Sequence, residues 1–155
     1  MSFFVRAMRE SDIERVMTIA ASLAEAPHWP REAYIAAIAP DSTLRRVALV
    51  AQFADGVAGF VVASVLAPQS ELESIAVTST AQRQGVATAL LRELTGELSA
   101  SGVEELLLEL RASNARAADF YEQYGFMPAG RRRSYYQDPV EDALLLRLNL
   151  PKNKS

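Results

Sequence analysis

The stretch that decides the fold is Ser74-Ile75-Ala76-Val77, followed four residues later by Gln82-Arg83-Gln84-Gly85-Val86-Ala87. The first piece reads as the end of an apolar strand, and the second as a glycine turn opening a leucine-rich helix. Val86, Leu90, Leu94 and Leu98 recur at four-residue steps and share one helical face, and Gly102 suits a left-handed stop. Strand, glycine turn and helix start make a local anion site, because the first N–H groups of a helix lack intrahelical partners and point outward with the positive end of its dipole. The functional reading is a phosphate-bearing cofactor; the bland one is a glycine used only for close packing. No Gly-Lys-Ser/Thr follows, and there is no Gly-x-Gly-x-x-Gly, so nucleotide hydrolysis and hydride transfer lose support.

Working outward, Phe3 to Met8 reads as a first strand. Ser11-Asp12-Ile13-Glu14 has the capping-box spacing, and Ile13, Val16, Met17, Ala20 and Leu23 follow at helical intervals up to Pro27. Pro30 can open a second short helix through Tyr34 to Ile38. Arg46 to Phe53 and Val57 to Leu66 form a hairpin about Asp55-Gly56, and Glu71 to Val77 is the next strand. Leu106 to Leu110 reads as a buried strand. Ser113 and Asn114 are cap residues for a helix carrying Ala117, Phe120, Tyr121 and Tyr124, with Gly125 at its end. Met127 to Tyr136 and Ala143 to Leu150 finish the chain as strands around Asp138-Pro139, and 151–155 is a polar tail. The order predicts one α/β (α+β) domain over 1–150, a mixed seven-stranded sheet flanked by about four helices.

With 155 residues the chain is long enough for one core without staples, and it has no cysteine and a single histidine, His28. Disulfides, a cysteine nucleophile and a His/Cys metal site drop out, and no metal is expected. The formal charge of -3 argues against nucleic acid as a partner. No run approaches a membrane span, and the N-terminus lacks the order of a signal peptide, so the expectation is a soluble, cytoplasmic protein without a membrane partner.

Glu109 lies inside Leu106-Leu107-Leu108-Glu109-Leu110, where a charge is costly unless it is paired or useful. It reads either as a partly buried general base or as a carboxylate paired with Arg111 or another neighbour. Tyr121 is seven residues beyond Asn114, roughly 10 Å along the helix. It can serve as a phenolic proton donor or pack as a core aromatic beside Phe120 and Tyr124.

Together these residues carry a resemblance. Gln82-x-x-Gly85-x-Ala87 after Ile75-Ala76-Val77, then Leu108-Glu109-x-Arg111-Ala112-Ser113-Asn114 and Phe120-Tyr121-x-x-x-Gly125-Phe126, resemble the signature of the GNAT acetyltransferase superfamily. Within it, Arg111-Ala112-Ser113-Asn114, Arg133-x-Tyr135-Tyr136 and Glu141-Asp142-Ala143 are most similar to the RimI-like ribosomal-protein-alanine N-acetyltransferases. The resemblance implies the acyl-CoA N-acyltransferase fold and acetyl-CoA as donor. By it, the backbone of Ile75, Ala76 and Val77 would pair with the pantetheine arm, and Arg83, Gln84, Gly85, Val86, Ala87 and Thr88 would wrap the pyrophosphate. Asn114 would hold the arm near the thioester, with Glu109 as proton acceptor and Tyr121 as proton donor. An N–H near Val77 would face the oxyanion. The implied reaction is direct attack by a protein N-terminal α-amine, whose ordinary pKa of about 7.7–8.0 leaves much of it protonated at neutral pH and in need of a base.

Two departures accompany the likeness. Thr78-Ser79 stands where these enzymes often have an acidic residue or histidine and then proline, and Glu73 is a second carboxylate on the strand where other members carry their base. Strand alternation puts Glu73 in phase with Ile75 and Val77. Trp29, Tyr34, Tyr135 and Tyr136 are candidate groove residues for a peptide, and Arg131 to Arg133 read as an edge-strand guard. The resemblance implies a protein or peptide N-terminus as acceptor, such as that of a ribosomal protein, with a small amine or lysine side chain as the alternative. A noncatalytic acyl-CoA-binding module is the reading from another class.

Overall fold

The computed structural model describes residues 2–23 and 26–151. Seven strands, β1 (Phe3–Ala7), β2 (Arg46–Phe53), β3 (Gly56–Leu66), β4 (Gln69–Val77), β5 (Glu105–Arg111), β6 (Met127–Tyr136) and β7 (Glu141–Asn149), form one mixed sheet in the order β1-β2-β3-β4-β5-β7-β6. Four helices cover it: α1 (Ile13–Ala21), α2 (Arg31–Ile38), α3 (Val86–Ala100) and α4 (Ala115–Tyr124). The polar tail expected after residue 151 lies outside the described residues.

Each face of the sheet has its own core. On one, Val86, Leu90, Leu94 and Leu98 of α3 meet Leu49, Val61, Ala63, Leu106, Leu108 and Leu110, and α4 adds Tyr121. On the other, Ile13, Val16, Ile19 and Ala20 of α1 and Tyr34 of α2 meet Val50, Phe60, Val62 and Ala76. Leu90, Leu94 and Leu98 are wholly buried, as the four-residue spacing requires. β5 is buried on one face only: Leu106, Leu108 and Leu110 face α3, whereas Leu107, Glu109 and Arg111 are half-buried on the opposite side.

Two local expectations are corrected. Ser11 and Glu14 form no capping box; Asp12 takes that role, accepting the Arg9 N–H at 2.8 Å while Arg6 grips both carboxylate oxygens at 2.8 and 2.9 Å. The charged partner on β1 outcompetes a neutral serine hydroxyl. α1 then stops at Ala21 rather than running to Pro27, with the Ser22 hydroxyl donating to the Ile19 carbonyl, and Leu23 falls beyond the helix.

The topology leaves one opening. β4 and β5 run parallel but pair only over Gln69–Glu71 with Glu105–Leu107, after which they separate. The β3–β4 register shifts here as well: Val62 opposes Ser74 while Ala63 opposes Leu72, so Glu73 is an extra residue in β4, a bulge that bends the strand.

Arg6 and hydrogen bonding hold the Asp12 carboxyl below its ordinary range, against the opposing effect of burial. A lowered carboxyl contributes stability above its unfolded value, about 3.9, and loses it as pH falls through the folded value. Asp12→Asn is therefore expected to cost about 2–3 kcal/mol at pH 7, and the gap from the parent protein should shrink below about pH 4. Urea unfolding of both proteins at pH 7 and pH 3 measures this; an equal gap at both pH values would contradict it.

Candidate functional site

Backbone direction makes the opening chemically useful. Thr78 N–H donates to the Ala58 carbonyl at 2.8 Å, which by antiparallel alternation makes Ala76–Phe60 and Ser74–Val62 the pairs that exchange hydrogen bonds. The peptide groups of Ile75 and Val77 consequently turn away from β3 and into the gap. Ala76 is different: its peptide groups serve β3 and its methyl is buried against the α1 side, so it presents no polar group there. Across the gap, Leu150 N–H to Glu104 C=O at 2.8 Å and Ala112 N–H to Asp142 C=O at 3.0 Å set the β5–β7 phase. That phase turns the peptide groups of Leu107, Glu109 and Arg111 toward β4. The Val77 carbonyl accepts from the Gln82 side chain at 3.2 Å, leaving its N–H as a donor facing the gap.

The α3 start borders the same opening. Gly85, at φ 78°, is the N-cap, and Arg83 is also left-handed at φ 66°. Helix geometry leaves the N–H groups of Val86, Ala87 and Thr88 without intrahelical partners; the first such bond runs from Ala89 N–H to Gly85 C=O at 3.0 Å. These residues with Arg83 line a cleft of about 370 Å³, closed opposite by Arg116 and Phe120 of α4. Gln84 folds its amide onto the Thr80 carbonyl, so its side chain points back at the turn rather than into the cleft. Neither α3 nor α4 has an acidic residue in its first turn, and both starts are open to an anion. Gly59 lets α3 sit this close: a Cβ there would lie 3.1 Å from the Ala76 carbonyl oxygen and 3.2 Å from Val86 Cγ1.

Asn114 caps α4, its Oδ1 accepting from Ala117 N–H at 3.2 Å. Tyr121 is on the α3 face, buried between Phe120 and Phe126, and burial pushes its phenol well above the ordinary range. The hydroxyl therefore stays protonated through neutral pH. The core reading of Tyr121 thus holds for its ring, and its hydroxyl is the one polar group it brings to this face.

Glu109 projects from the opposite face. Its carboxylate is paired not with Arg111 but with Arg132, at 3.0 Å, and it pushes the neighbouring Tyr135 phenol above its ordinary range. Arg111 instead holds Glu141 at 3.2 Å, the Gln137 and Pro139 carbonyls, and the face of Tyr136. Glu141 in turn accepts Ser113 N–H at 2.6 Å, tying the end of β5 and the entry to α4 to the β6–β7 turn. Among these residues the Arg-Ala-Ser-Asn and Glu-Asp-Ala motifs form one anchor.

Glu73 is not in phase with Ile75 and Val77. Leu72, Ile75 and Val77 pack on the α3 side, and the bulge leaves Glu73 on the Glu109 side of the sheet. There Arg46 grips it at 2.8 Å, with Trp29 beneath that guanidinium. Tyr34 is 0% exposed and packs on Phe60, so it lines no groove, whereas Tyr135 is 50% exposed next to Tyr136. Arg131 pairs with Asp142 at 2.8 Å, and Arg132 with Glu109; the edge-strand arginines thus have specific partners as well as an edge to guard.

Sequence reading passed over Arg116, Arg132 and Glu71 as site residues. Arg116 had a signal, a cation in a first helical turn where the dipole disfavours one. Arg132 and Glu71 had none, because their placement depends on strand register. Among the described residues no group of three or more acidic or histidine side chains is arranged to hold a metal, and no helix is long and apolar enough to cross a membrane.

The acetyltransferase (GNAT) family matches residues 9–126. The chain is 45% identical over 93 residues to the ribosomal protein bS18-alanine N-acetyltransferase of Escherichia coli, a match spanning 59% of this chain and 63% of that protein. A Bacillus subtilis protein provisionally given the same name is 28% identical over 92% of both chains. The crystal structure of the ribosomal-protein-S18-alanine N-acetyltransferase from Escherichia coli superimposes with a TM-score of 0.84 at 30% identity, covering 99% of this chain and 97% of that one.

The left-handed Gly85 has open space around its missing Cβ, so Gly85→Ala costs backbone strain rather than a clash. The expected loss is about 1 kcal/mol, or about 2–4 °C in Tm for a chain of this size. Calorimetry that found no loss would show that the loop relaxes out of this conformation.

Proposed function

The chain belongs to the GNAT acetyltransferase family, and from that premise we propose that it transfers acetyl from acetyl-CoA to the α-amine of a protein N-terminus, of the ribosomal-protein-alanine type. The observation that carries the reading is the opening between β4 and β5, with an anion-ready helix start on one side and a carboxylate with a tyrosine pair on the other. Similarity to enzymes named for the alanine of a ribosomal protein supports the choice of acceptor. On this reading the enzyme works in the cytoplasm, where ribosomal proteins are made.

Acetyl-CoA is a substrate here, and the residues present fit it. The free N–H groups of Val86 to Thr88, with Arg83 and Gly85, would receive the pyrophosphate, and Arg116 adds a cation across the cleft. The exposed peptide groups of Ile75 and Val77 would pair with the amides of the pantetheine arm, extending β4 as a strand would. Ala76 separates those two groups without contributing one. Asn114 orders the α4 start near the thioester end.

The two catalytic candidates approach from opposite faces of the sheet, which suits direct transfer. Glu109, on the acceptor face, would take the proton from the α-ammonium, directly or through water. The amine nitrogen then bonds to the acetyl carbonyl carbon, with the Val77 N–H facing the developing oxyanion. Tyr121, on the α3 face, would give a proton to the departing sulfur as the carbon–sulfur bond breaks, while the new amide nitrogen loses its second proton to water and the phenol is reprotonated.

Saturating acetyl-CoA at 100 times its Kd is expected to add about 2.7 kcal/mol of stability, roughly 5–10 °C in Tm. ADP, which lacks the pantetheine arm, should add far less. No shift with acetyl-CoA would remove the donor assignment. Turnover is then read on N-terminal peptides, lysine peptides and small amines, with N-terminal peptides expected to lead. Glu109→Gln and Tyr121→Phe should each lower kcat by about 10²-fold or more where chemistry limits the rate. Full turnover in both variants would reject the assigned roles, and binding without turnover on any amine would favour a noncatalytic module.

A further inference from the structure

The β6–β7 segment delivers a cation to the very carboxylate that the proposed reaction leaves free for an amine. Arg132 Nε lies 3.0 Å from Glu109 Oε1, and the two side chains differ sharply in exposure, 56% for Arg132 and 17% for Glu109. The arginine is held from the solvent side, over the Tyr135 ring at 5.7 Å, in a strand whose register with β7 is irregular between Arg132 and Tyr136. Ser134, between them, is left-handed at φ 49°. Arg132 is thus seated on a bulged edge strand rather than clamped in a regular ladder.

A second carboxylate stands beside this pair. Glu71 is exposed at the point where β4 and β5 part, opposite Leu107 and two residues along β5 from Glu109. Glu73 has Arg46, Glu109 has Arg132 and Glu141 has Arg111; among the described residues Glu71 has no ion pair within 4.0 Å. Desolvation, then Glu109 and Glu73, push its carboxyl above the ordinary range, and Arg132 acts in the opposite direction. Because Glu71 pairs with Leu107, and Leu107 and Glu109 alternate to the same side of β5, the two carboxylates share one face of the sheet as diagonal neighbours.

We propose that Arg132 is an exchangeable counter-ion: it occupies Glu109 in the free enzyme, and when the acceptor's ammonium reaches Glu109 it moves to Glu71. The inference rests on the assignment of Glu109 as the acceptor-side base. Arg132 is a positioning residue, acting through Glu109, and Glu71 is the seat that makes its displacement easy. The acceptor gains Glu109 without leaving a cation stranded next to it.

The test is a double-mutant cycle on the full chain, with Glu71→Gln, Arg132→Ala and the pair, in steady-state kinetics on an Ala-initiated peptide. Calorimetric binding of the same peptide to the enzyme with coenzyme A gives a readout that does not need turnover. Glu71→Gln should raise the peptide KM and Kd about 3–10-fold and change kcat less than twofold, because Arg132 then competes for Glu109 with no second seat. In the Arg132→Ala background the same substitution should change KM and Kd less than twofold, and Arg132→Lys should restore part of the Glu71 dependence. Equal Glu71→Gln effects in both backgrounds would overturn the exchange and make Glu71 a direct peptide contact; no effect in either would overturn it as well. A wild-type protein that binds the peptide with this coupling but acetylates no α-amine would instead reject the proposed function and leave the exchange standing.

Discussion

The structure depends on the failure of β4 and β5 to stay paired. Two parallel strands in the middle of a sheet ordinarily satisfy one another's peptide groups over their whole length, and an interior edge left open is costly unless something completes it. Here pairing stops after three residues on each strand, yet both strands continue, to Val77 and Arg111. The bulge at Glu73 bends β4, and the antiparallel partners β3 and β7 support each strand from its other side. In the proposed reading, the amides of the pantetheine arm complete this edge.

The same divergence separates the chemistry by face. α3 and α4 pack on one side and bring the helix start, Arg83, Arg116 and the Tyr121 phenol to it. α1 and α2 cover β2 to β4 on the other side but stop short of β5 and β7, where Glu109, Tyr135 and Tyr136 stand over an uncovered stretch of sheet. The helix start with its cations and the Glu109 carboxylate thereby lie on opposite faces of the sheet, with the gap between them. Gly59 and Gly85 serve this arrangement in two ways, the first by letting α3 touch β3 and the second by turning the chain into the helix.

What was legible in the sequence is what depends on near neighbours. The α3 stripe is fixed by a repeat of four, Asn114 and Gly125 by the needs of helix ends, and most of the strands by apolar runs between turn formers, β6 with its three arginines being the exception. The side of Glu73 was not legible, because one extra residue reverses the phase of everything before it and a bulge has no reliable local signature. The partner of Glu109 was hidden for a related reason. Arg132 reaches it across β7 through an irregular register, whereas Arg111, the nearer choice in sequence, is drawn off by Glu141. Ser11 likewise has the spacing of a cap, but Arg6 on a neighbouring element decides in favour of Asp12.

In the proposed reaction, a base that must receive an ammonium faces a conflict of demands. Half-buried and alone, the Glu109 carboxylate would bear a desolvation cost of several kcal/mol. Firmly paired, it would be closed to the amine. The structure resolves this by asymmetry: the carboxylate is the more buried member and the guanidinium the more exposed one, so Arg132 satisfies the charge while itself remaining hydrated. Fully exposed ion pairs are typically worth about 1 kcal/mol or less, and the exposed guanidinium brings this pair toward that range, provided that the incoming cation supplies its own charge and hydrogen bonds as Arg132 leaves. Arg46 on Glu73 is the contrast, both side chains about one-fifth exposed at 19% and 21% and supported by Trp29. Of Glu73 and Glu109, Glu109 is the one whose counter-ion solvent can take back, and that physical difference, rather than position on a strand, favours it over Glu73 as the proposed base.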